Sequence, residues 1–212
     1  MNRIKTISFL LLGIVALGLG IWFAQVFLNR AQPPLDIAGV YLPEAKALDD
    51  FSLVHQSGQA FTRDDLKGHW TFIYFGYTYC PDACPMTLGY FNSVQNALAD
   101  RNIDQNVDFM LVSVDSKRDT PERLGEYTAY FNPKFYGATG DPQAIAQVAR
   151  QFGVYYDFPD GQEGDDYPVD HSSYVFLTDP EGRLQAILAP PHLPDTMVAD
   201  FVKIRDHYQG AS

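Results

Sequence analysis

The sequence predicts an α/β domain that follows a single N-terminal transmembrane helix. Three observations lead to this prediction: an uncharged run of 22 residues near the N-terminus, strand-like and helix-like segments that alternate between residues 49 and 212, and two cysteines placed directly after the first central strand. The chain has 212 residues, of which 46% are hydrophobic, and this is enough for one domain with a substantial core.

The uncharged run covers residues 7–28 and reads ISFLLLGIVALGLGIWFAQVFL. A helix rises about 1.5 Å per residue, so a run of this length reaches roughly 33 Å, close to the hydrocarbon thickness of a bilayer. No cleavage site of the A-x-A kind follows it, so we expect an uncleaved anchor and not a signal peptide. Arg3 and Lys5 precede the run and Arg30 alone follows closely, so the positive-inside rule places residues 1–6 in the cytoplasm.

The remainder of the chain is strongly acidic. Residues 31–212 carry 12 basic and 26 acidic side chains, a formal net charge of −14 against −11 for the whole chain. Such a domain would repel the phosphates of nucleic acids, so we expect no nucleic-acid partner. The N-terminus lacks the amphipathic, Arg- and Ser-rich leader of a mitochondrial protein. Together these features predict a protein of the bacterial inner membrane whose main domain faces the periplasm.

The order of the predicted strands and helices after the anchor restricts the number of possible folds. Residues 29–48 contain prolines and show no periodicity, so we expect a linker there. Apolar spacing, helix-start signals and turn residues then predict hairpin strands at 51–54 and 59–62, central strands at 70–75 and 107–114, helices at 85–100, 121–131 and 142–152, a short strand at 135–138, hairpin strands at 174–178 and 184–188, and a helix at 194–208. This order, with the cysteines behind the first central strand, is typical of a thioredoxin-like domain, which we place at residues 49–212.

The two cysteines, Cys80 and Cys84, are the only ones in the chain, which excludes a scaffold stapled by several disulfides. Their spacing is C-x-x-x-C, one residue longer than the C-x-x-C redox motif. Positions i and i+4 of a helix share a face, so this spacing permits either a strained disulfide or two thiolates that converge on a metal. We expect Pro85 at the first helical position and Cys84 at the cap, where backbone N–H groups and the helix dipole favour thiolates.

One of the five histidines is a candidate third ligand. His171 directly precedes the strand predicted at 174–178, and in a thioredoxin-like domain this loop faces the cysteines. Two thiolates and one imidazole suit soft Cu(I) better than a closed four-ligand zinc site. The neighbouring Asp170 could orient a ring nitrogen of His171 or be a solvated loop acid. The other four histidines are expected to be solvated or, at the helix C-terminus, to face the helix dipole: His55, His69, His192 and His207.

Three segments of the chain resemble the signature of the Sco/SenC family: YFGYTYCPDACP at residues 74–85, SVD with RDTP at residues 113–121, and DYPVDH at residues 166–171. The resemblance covers roughly residues 48–208, with departures at Tyr79, where relatives often have His, and at Pro168. It implies a membrane-tethered thioredoxin-like domain that binds one copper through Cys80, Cys84 and His171. It also implies a role in assembling the dinuclear copper centre in subunit II of cytochrome c oxidase.

The sequence leaves several functions open. A copper metallochaperone, which we favour and which is not an enzyme, would hold Cu(I), receive it from a periplasmic carrier and deliver it to subunit II; the sequence leaves binding of Cu(II) open. A thiol–disulfide oxidoreductase would cycle Cys80 and Cys84 to reduce the cysteines of subunit II, and its partner would be a periplasmic thiol reductant. A copper or redox sensor would deliver nothing. Peroxide reduction, for which Thr78 and Arg118 are available, is disfavoured by the cysteine pairing.

A group of charged residues follows the second central strand. Asp115, Arg118 and Asp119 lie where ligands often bind in open α/β sheets, at the carboxyl end of a strand. They could form the rim of the site or cap the next helix. We expect them to cap the helix.

Overall fold

The computed structural model describes residues 12–23, 35–159 and 167–211, and the chain divides into two units, Met1–Pro34 and Leu35–Ser212. In the first unit, residues 12–23 form helix α1. Of the anchor predicted over residues 7–28, residues 7–11 and 24–28 lie outside the described residues, as do residues 1–6, which were predicted to be cytoplasmic. Within the described ranges, no helix combines the length and the apolar character that crossing a bilayer requires.

The second unit is built on a mixed sheet of eight strands in the order β1-β10-β9-β4-β5-β6-β2-β3, and β7 and β8 form a separate two-stranded ladder. The strands are β1 (Val40–Lys46), β2 (Ser52–His55), β3 (Ala60–Thr62), β4 (Trp70–Gly76), β5 (Val107–Ser113), β6 (Tyr136–Thr139), β7 (Tyr156–Asp157), β8 (Asp170–His171), β9 (Val175–Thr178) and β10 (Leu184–Leu188). The predicted hairpins and central strands are confirmed, each within one or two residues at its ends.

Strands β4 and β5 form the centre of the sheet and bring two functional segments to the same edge. They pair in parallel from Trp70 opposite Val107 to Gly76 opposite Ser113. All residues of β4 are buried, which explains its continuous aromatic and β-branched composition. Because parallel strands end on the same side, the segments after Gly76 and Ser113 emerge next to each other. Strand β9 pairs with the other side of β4 in the antiparallel direction.

Four helices complete the second unit: α2 (Ala83–Asp100), α3 (Pro121–Phe131), α4 (Pro142–Phe152) and α5 (Pro194–Ala211), with a short 3₁₀ helix at Arg63–Leu66. Helices α3 and α4 begin as predicted, because Thr120 and Asp141 accept hydrogen bonds from backbone N–H groups of the first turn. Helix α4 ends at Gly153, whose φ of 73° is in the left-handed region. The predicted thioredoxin-like α/β domain is thereby confirmed.

Aromatic packing fixes helix α2 against the central strands. Phe72 of β4 stacks on Phe109 of β5 with 5.0 Å between ring centroids. Phe91 of α2 lies 5.1 Å from the Phe109 ring and is fully buried. Aromatic pairs of this kind add to the stabilisation that burial alone provides. The first turn of α2, which carries Cys84, is therefore held by a rigid core.

The linker predicted over residues 29–48 is wrong for its second half. Residues 40–46 form strand β1, which pairs with β10 at the edge of the sheet. The pairing register shifts between Tyr41 and Lys46, a stretch that includes Pro43, and proline is confined to such edge positions within sheets. The backbone N–H of Ala38 also donates to the carboxylate of Asp200 in α5, at 3.0 Å. Because this edge strand is irregular, its sequence lacks the alternation of apolar and polar residues by which strands are recognised.

Candidate metal centre

The cysteines lie on the loop between β4 and α2 and in the first turn of α2. Cys84 is completely buried, whereas Cys80 is half-buried in the preceding loop. Helix α2 begins at Ala83, with Asp82 as its N-cap. The prediction that Pro85 is the first helical residue and Cys84 the cap is therefore wrong. Pro85 occupies the third helical position, which proline tolerates because the N–H groups of the first turn have no partner within the helix.

His171 reaches the cysteines from the opposite side of the site. It belongs to β8, where it pairs with Tyr156 of β7, and the backbone N–H of Ser172 donates to the carbonyl of Tyr155 at 2.8 Å. This ladder fixes the backbone on both sides of the imidazole. The sequence prediction that the loop before β9 faces the cysteines is confirmed.

The three candidate ligands come together as one group of donor atoms. The two Sγ atoms and a ring nitrogen of His171 all lie within 4.8 Å of one another, and the distance from Cys84 Sγ to His171 Nε2 is 3.6 Å. Within the described part of the chain, this is the one group of three or more such side chains able to surround an ion. The two cysteines are free thiols.

The tautomer of His171 follows from a backbone contact. Its Nδ1 lies 3.1 Å from the carbonyl oxygen of Ser172, and a carbonyl only accepts, so Nδ1 carries the proton and donates. Nε2 is then the ring nitrogen that faces the two sulfurs. The carbonyl of Ser172 thus orients the ring. Of the two roles left open for Asp170, its exposed position fits that of a solvated loop acid.

The size and the chemistry of the group fit a copper ion. With metal–donor lengths of about 2.3 Å for sulfur and about 2.0 Å for nitrogen, two donors in a trigonal plane are roughly 3.7 Å apart. The observed distance of 3.6 Å between Cys84 Sγ and His171 Nε2 matches this value. Two thiolates and one imidazole are a soft, low-coordination set, which suits Cu(I) better than Mg²⁺ or Ca²⁺.

The two thiols have opposite acidities. A hydrogen bond from the Cys84 thiol lowers the pKa of Cys80 to about 3, against the opposing effect of burial, and His171 and the backbone N–H groups of Asp82 and Cys84 lower it further. The same hydrogen bond, together with burial, raises the pKa of Cys84 well above its usual range. The backbone N–H groups at the helix N-terminus contribute to the low pKa of Cys80, as predicted, but the hydrogen bond from Cys84 is the largest cause. The prediction of a lowered pKa is wrong for Cys84.

Two tyrosines hold the His171 ring. Tyr74 and Tyr77 each lie edge-to-face against the imidazole, with 5.8 Å between ring centroids in both pairs. The hydroxyl of Tyr77 also accepts a hydrogen bond from the backbone N–H of Val169, at 3.2 Å. These contacts leave the ring little rotational freedom. Both tyrosines flank Gly76, where β4 ends.

Asp119 ties the cysteine loop to the end of β5. Its carboxylate is fully buried and accepts from the backbone N–H of Thr78 at 2.9 Å, from the Thr78 hydroxyl at 2.6 Å and from the Ser113 hydroxyl at 2.6 Å. Burial raises the pKa of Asp119, and these hydrogen bonds oppose the rise. The prediction that Asp119 caps α3 is therefore wrong, since Thr120 provides that cap.

Arg118 and Asp115 connect the end of β5 to the histidine segment. Their side chains form a buried ion pair, and the hydroxyl of Tyr167 donates to Asp115 at 3.0 Å. The Arg118 guanidinium lies 3.6 Å from the centroid of the Tyr167 ring and 4.8 Å from that of Tyr79. Asp115 and Arg118 are therefore not caps either. They link Tyr79, beside Cys80, to Tyr167, four residues before His171.

The remaining histidines lie outside the ligand group. His192 was predicted in an exposed loop but is buried, and its Nε2 lies 2.6 Å from the carbonyl oxygen of Ser173. His69 pairs with Asp108 at 3.1 Å, His207 packs edge-to-face on Tyr41, and His55 lies in the β2–β3 hairpin beside Ser57.

Gly76 is the site residue that the sequence analysis did not single out. A Cβ at this position would lie 2.6 Å from Cys84 Sγ, closer than Cβ atoms approach other atoms, and 3.1 Å from Tyr74 Cε1, which is a tight contact. The residue must therefore be glycine if the sulfur is to stay where it is. A glycine inside a buried strand was the available signal, because such glycines often mark a close approach of another group.

The chain matches known proteins over most of its length. The family model described as SCO1/SenC matches residues 41–206. A "SCO2-like protein" of Rickettsia felis is 37% identical over 174 residues, covering 80% of this chain and 84% of the relative.

Solved structures give the same result. ScoI of Arabidopsis thaliana, crystallised with copper bound, superposes with a TM-score of 0.70 at 36% identity and covers 76% of this chain and 98% of that one. ScoI of Bradyrhizobium japonicum, also with copper bound, gives a TM-score of 0.66 at 35% identity and covers 74% of this chain and 99% of that one.

Proposed function

The chain belongs to the SCO1/SenC family, and on that basis we propose that it is a copper metallochaperone that binds one Cu(I) ion through Cys80, Cys84 and His171. The observation that carries the proposal is the convergence of these three donors within 4.8 Å. The copper-bound state of the ScoI structures from Arabidopsis thaliana and Bradyrhizobium japonicum supports copper as the cargo. Because Nδ1 of His171 donates to the carbonyl of Ser172, the nitrogen that faces the two sulfurs is Nε2, through which the ring would bind the ion.

The asymmetry of the two thiols suits transfer of the ion. Cys84 is buried behind Gly76, whereas Cys80 is half-exposed, so a partner can approach from the side of Cys80. A partner thiol that loses its proton would form a bond to copper while the bond to Cys80 breaks, and Cys80 would then be replaced without a change in oxidation state. A second partner ligand would replace Cys84, which takes up a proton, and the bond to His171 would break as the ion leaves.

The proposed recipient is subunit II of cytochrome c oxidase, whose dinuclear copper centre this protein would help to assemble. The resemblance of the cysteine and histidine segments to the Sco/SenC signature supports this recipient. A periplasmic copper carrier would load the protein. The acidic character of the domain, −14 over residues 31–212, would favour partners with basic surfaces.

Competition with a chromogenic Cu(I) chelator tests the proposal on the full-length protein. We expect one copper per chain, and a loss of affinity of at least about tenfold in Cys80→Ser, Cys84→Ser and His171→Ala, because each removes a ligand. His207→Ala, which removes a histidine outside the ligand group, is the matched control and should bind like the parent. Equal affinity in parent and His171→Ala would overturn the site.

A transfer assay tests the recipient. The copper-loaded parent is mixed with an apo fragment of subunit II that carries the dinuclear copper site, and copper in each protein is measured after separation. We expect copper to appear in the fragment. Retention of all copper by the parent would overturn delivery while leaving copper binding intact.

The same thiols also support a second function, thiol–disulfide exchange. The observation that favours it is the difference between Cys80, whose pKa is lowered to about 3, and the buried Cys84. The Cys80 thiolate would attack a disulfide of the partner and release one partner thiol. Cys84 would lose its proton and attack the Cys80 sulfur, which closes the Cys80–Cys84 disulfide and releases the second partner thiol. Retained reduction of subunit II cysteines by His171→Ala, with copper binding lost, would favour this function.

We further propose that residues 7–28 anchor the protein in the bacterial inner membrane, with residues 1–6 in the cytoplasm and the main domain in the periplasm. The uncharged run and the distribution of Arg3, Lys5 and Arg30 support this arrangement. The full chain should remain with membranes after alkaline carbonate extraction, whereas a variant that lacks residues 1–34 should be released. A membrane-impermeant thiol reagent should label Cys80 in intact spheroplasts, and labelling only after lysis would contradict the periplasmic placement.

A further inference from the structure

The hydroxyl of Tyr74 is buried beside the ligand group without a hydrogen bond. Tyr74 has no exposed surface, and no described residue makes a hydrogen bond of ordinary geometry with its hydroxyl. A buried polar group without a partner is costly, so buried hydroxyls are almost always paired. Phenylalanine would fill the same space on β4 without that cost. The hydroxyl therefore calls for a partner that another state of the site supplies.

Three contacts place this tyrosine between the two buried ligands. Its ring edge lies against the His171 imidazole, with 5.8 Å between the centroids. Tyr74 Cε1 and the Cys84 sulfur lie on the same side of Gly76. A Cβ added to Gly76 would be 3.1 Å from Tyr74 Cε1 and 2.6 Å from the Cys84 sulfur. The hydroxyl lies near Cys84, Thr87 and Ser173.

Of these neighbours, the Cys84 sulfur is the one whose strength as an acceptor changes when the site binds a metal. The Thr87 hydroxyl already donates to the carbonyl of Ala83 at 2.8 Å. The Cys84 sulfur is a weak acceptor while it keeps its proton, and becomes a strong one when it is a thiolate. Binding of Cu(I) brings about that change, because a metal replaces the thiol proton.

We propose that Tyr74 is a positioning residue of the copper site: its hydroxyl donates a hydrogen bond to the Cys84 sulfur in the copper-bound form. This inference rests on the proposed function and adds a residue to its site. The hydrogen bond orients the sulfur toward His171 and stabilises its negative charge in a place that water does not reach. A phenol has an ordinary pKa of about 10, so the Tyr74 hydroxyl is a donor at neutral pH.

The test compares Tyr74→Phe with the parent and with Tyr136→Phe in the full-length protein. Tyr136 is the matched control because its ring is also partly buried, but lies against His55 and Phe61, away from the copper ligands. We expect Tyr74→Phe to lower Cu(I) affinity about tenfold or more, the effect of losing a hydrogen bond to a charged group. Tyr136→Phe should leave the affinity unchanged.

Two further measurements separate positioning from a structural role. The apo form of Tyr74→Phe should melt at the parent's temperature or higher, because the unpaired hydroxyl is removed. Copper loading should change the tyrosine bands of the ultraviolet resonance Raman spectrum in the parent and in Tyr136→Phe, but not in Tyr74→Phe.

Equal copper affinity in Tyr74→Phe and the parent would overturn the inference. So would a loss of apo stability in Tyr74→Phe without the difference in Raman bands, since that result assigns Tyr74 a structural role alone. If the parent binds no copper, both the proposed function and this inference fail. If the parent binds copper and Tyr74→Phe binds it equally well, only the inference fails.

Discussion

The α-carbon of Gly76 and the sulfur of Cys84 lie so close that a Cβ at residue 76 would be 2.6 Å from Sγ. This relationship joins the end of the central strand β4 to the first turn of α2. It places Cys84, a proposed copper ligand, against the backbone of a strand whose residues are all buried. The strand therefore limits the distance between the Cys84 sulfur and His171. We expect the affinity for copper to depend on that distance.

Gly76→Ala should displace the Cys84 sulfur and weaken copper binding. Because the strand and the helix are fixed in the core, we expect a loss of about 1–3 kcal/mol in the free energy of unfolding and at least about tenfold in Cu(I) affinity. Chelator competition and urea denaturation measure the two effects. Gly89→Ala, also in α2, is the control. A Cβ added to Gly89 would have no neighbouring atom within 4 Å, so this variant should keep its copper affinity and retain or gain stability. Parent-like affinity in Gly76→Ala would contradict the prediction.

Copper binding should release one proton near pH 7. The pKa of Cys80 is lowered to about 3, so its thiol is already ionised, whereas the raised pKa of Cys84 means that this proton must leave when the metal binds. Affinity for Cu(I) should therefore fall about tenfold for each unit by which the pH is lowered below neutrality. Calorimetry in buffers of different ionisation enthalpy counts the protons. Release of two protons at pH 7, or of none, would contradict the opposite acidities of the two thiols.

The buried ion pair of Arg118 and Asp115 should behave as a unit. Arg118→Met leaves the Asp115 carboxylate buried without its cation, and we expect a loss of about 3–5 kcal/mol in the free energy of unfolding. The double variant Arg118→Met/Asp115→Asn should recover part of that loss, with a coupling of at least about 1 kcal/mol in a double-mutant cycle. Chemical denaturation of the four proteins provides the cycle. Strictly additive effects would show that the two side chains do not depend on each other.

His192 should make the domain less stable in mild acid. Burial lowers the pKa of its imidazole, and the hydrogen bond to the carbonyl of Ser173 opposes that effect. The unfolded chain takes up a proton as the pH falls below about 6.5, whereas the folded chain resists, so stability is lost as the pH falls through that value. In His192→Gln, whose amide can donate to the same carbonyl, this loss should be smaller by up to about 1.4 kcal/mol per pH unit.

Urea denaturation at several pH values between about 5.5 and 7.5 measures the difference, and the range follows from the ordinary pKa of histidine. The two proteins share the other four histidines, so a difference between their pH profiles isolates His192. Parallel profiles would show that His192 is not the group responsible.

Features that depend on local chemistry could be predicted from the sequence. The starts of α3 and α4 follow from Thr120-Pro121 and Asp141-Pro142, because a cap and a first-turn proline act within a few residues. The turn at Asp179–Gly182 specifies the β9–β10 hairpin in the same way. The ligand set could be predicted because the order of elements constrains which loops meet at the end of the central strands.

Features that depend on distant partners could not be predicted. Strand β1 is defined by its pairing with β10, more than a hundred residues later, and its own sequence carries little periodicity. His192 is buried because the carbonyl of Ser173 and the surrounding chain enclose it. Asp119 was expected to cap a helix, and instead accepts three hydrogen bonds from residues brought to it by the parallel pairing of β4 and β5.

The sequence alone thus determined the α/β fold of the main domain, the two thiols and the imidazole that form the site, and the family to which the chain belongs. Only the tertiary structure decided how those ligands are held: which thiol is buried, which histidine nitrogen is free, and which glycine and tyrosine border the Cys84 sulfur. The physical reason is that ligand identity is a property of residue types and order. Ligand orientation and acidity depend instead on distances of a few ångströms between segments far apart in the chain, which no local pattern records.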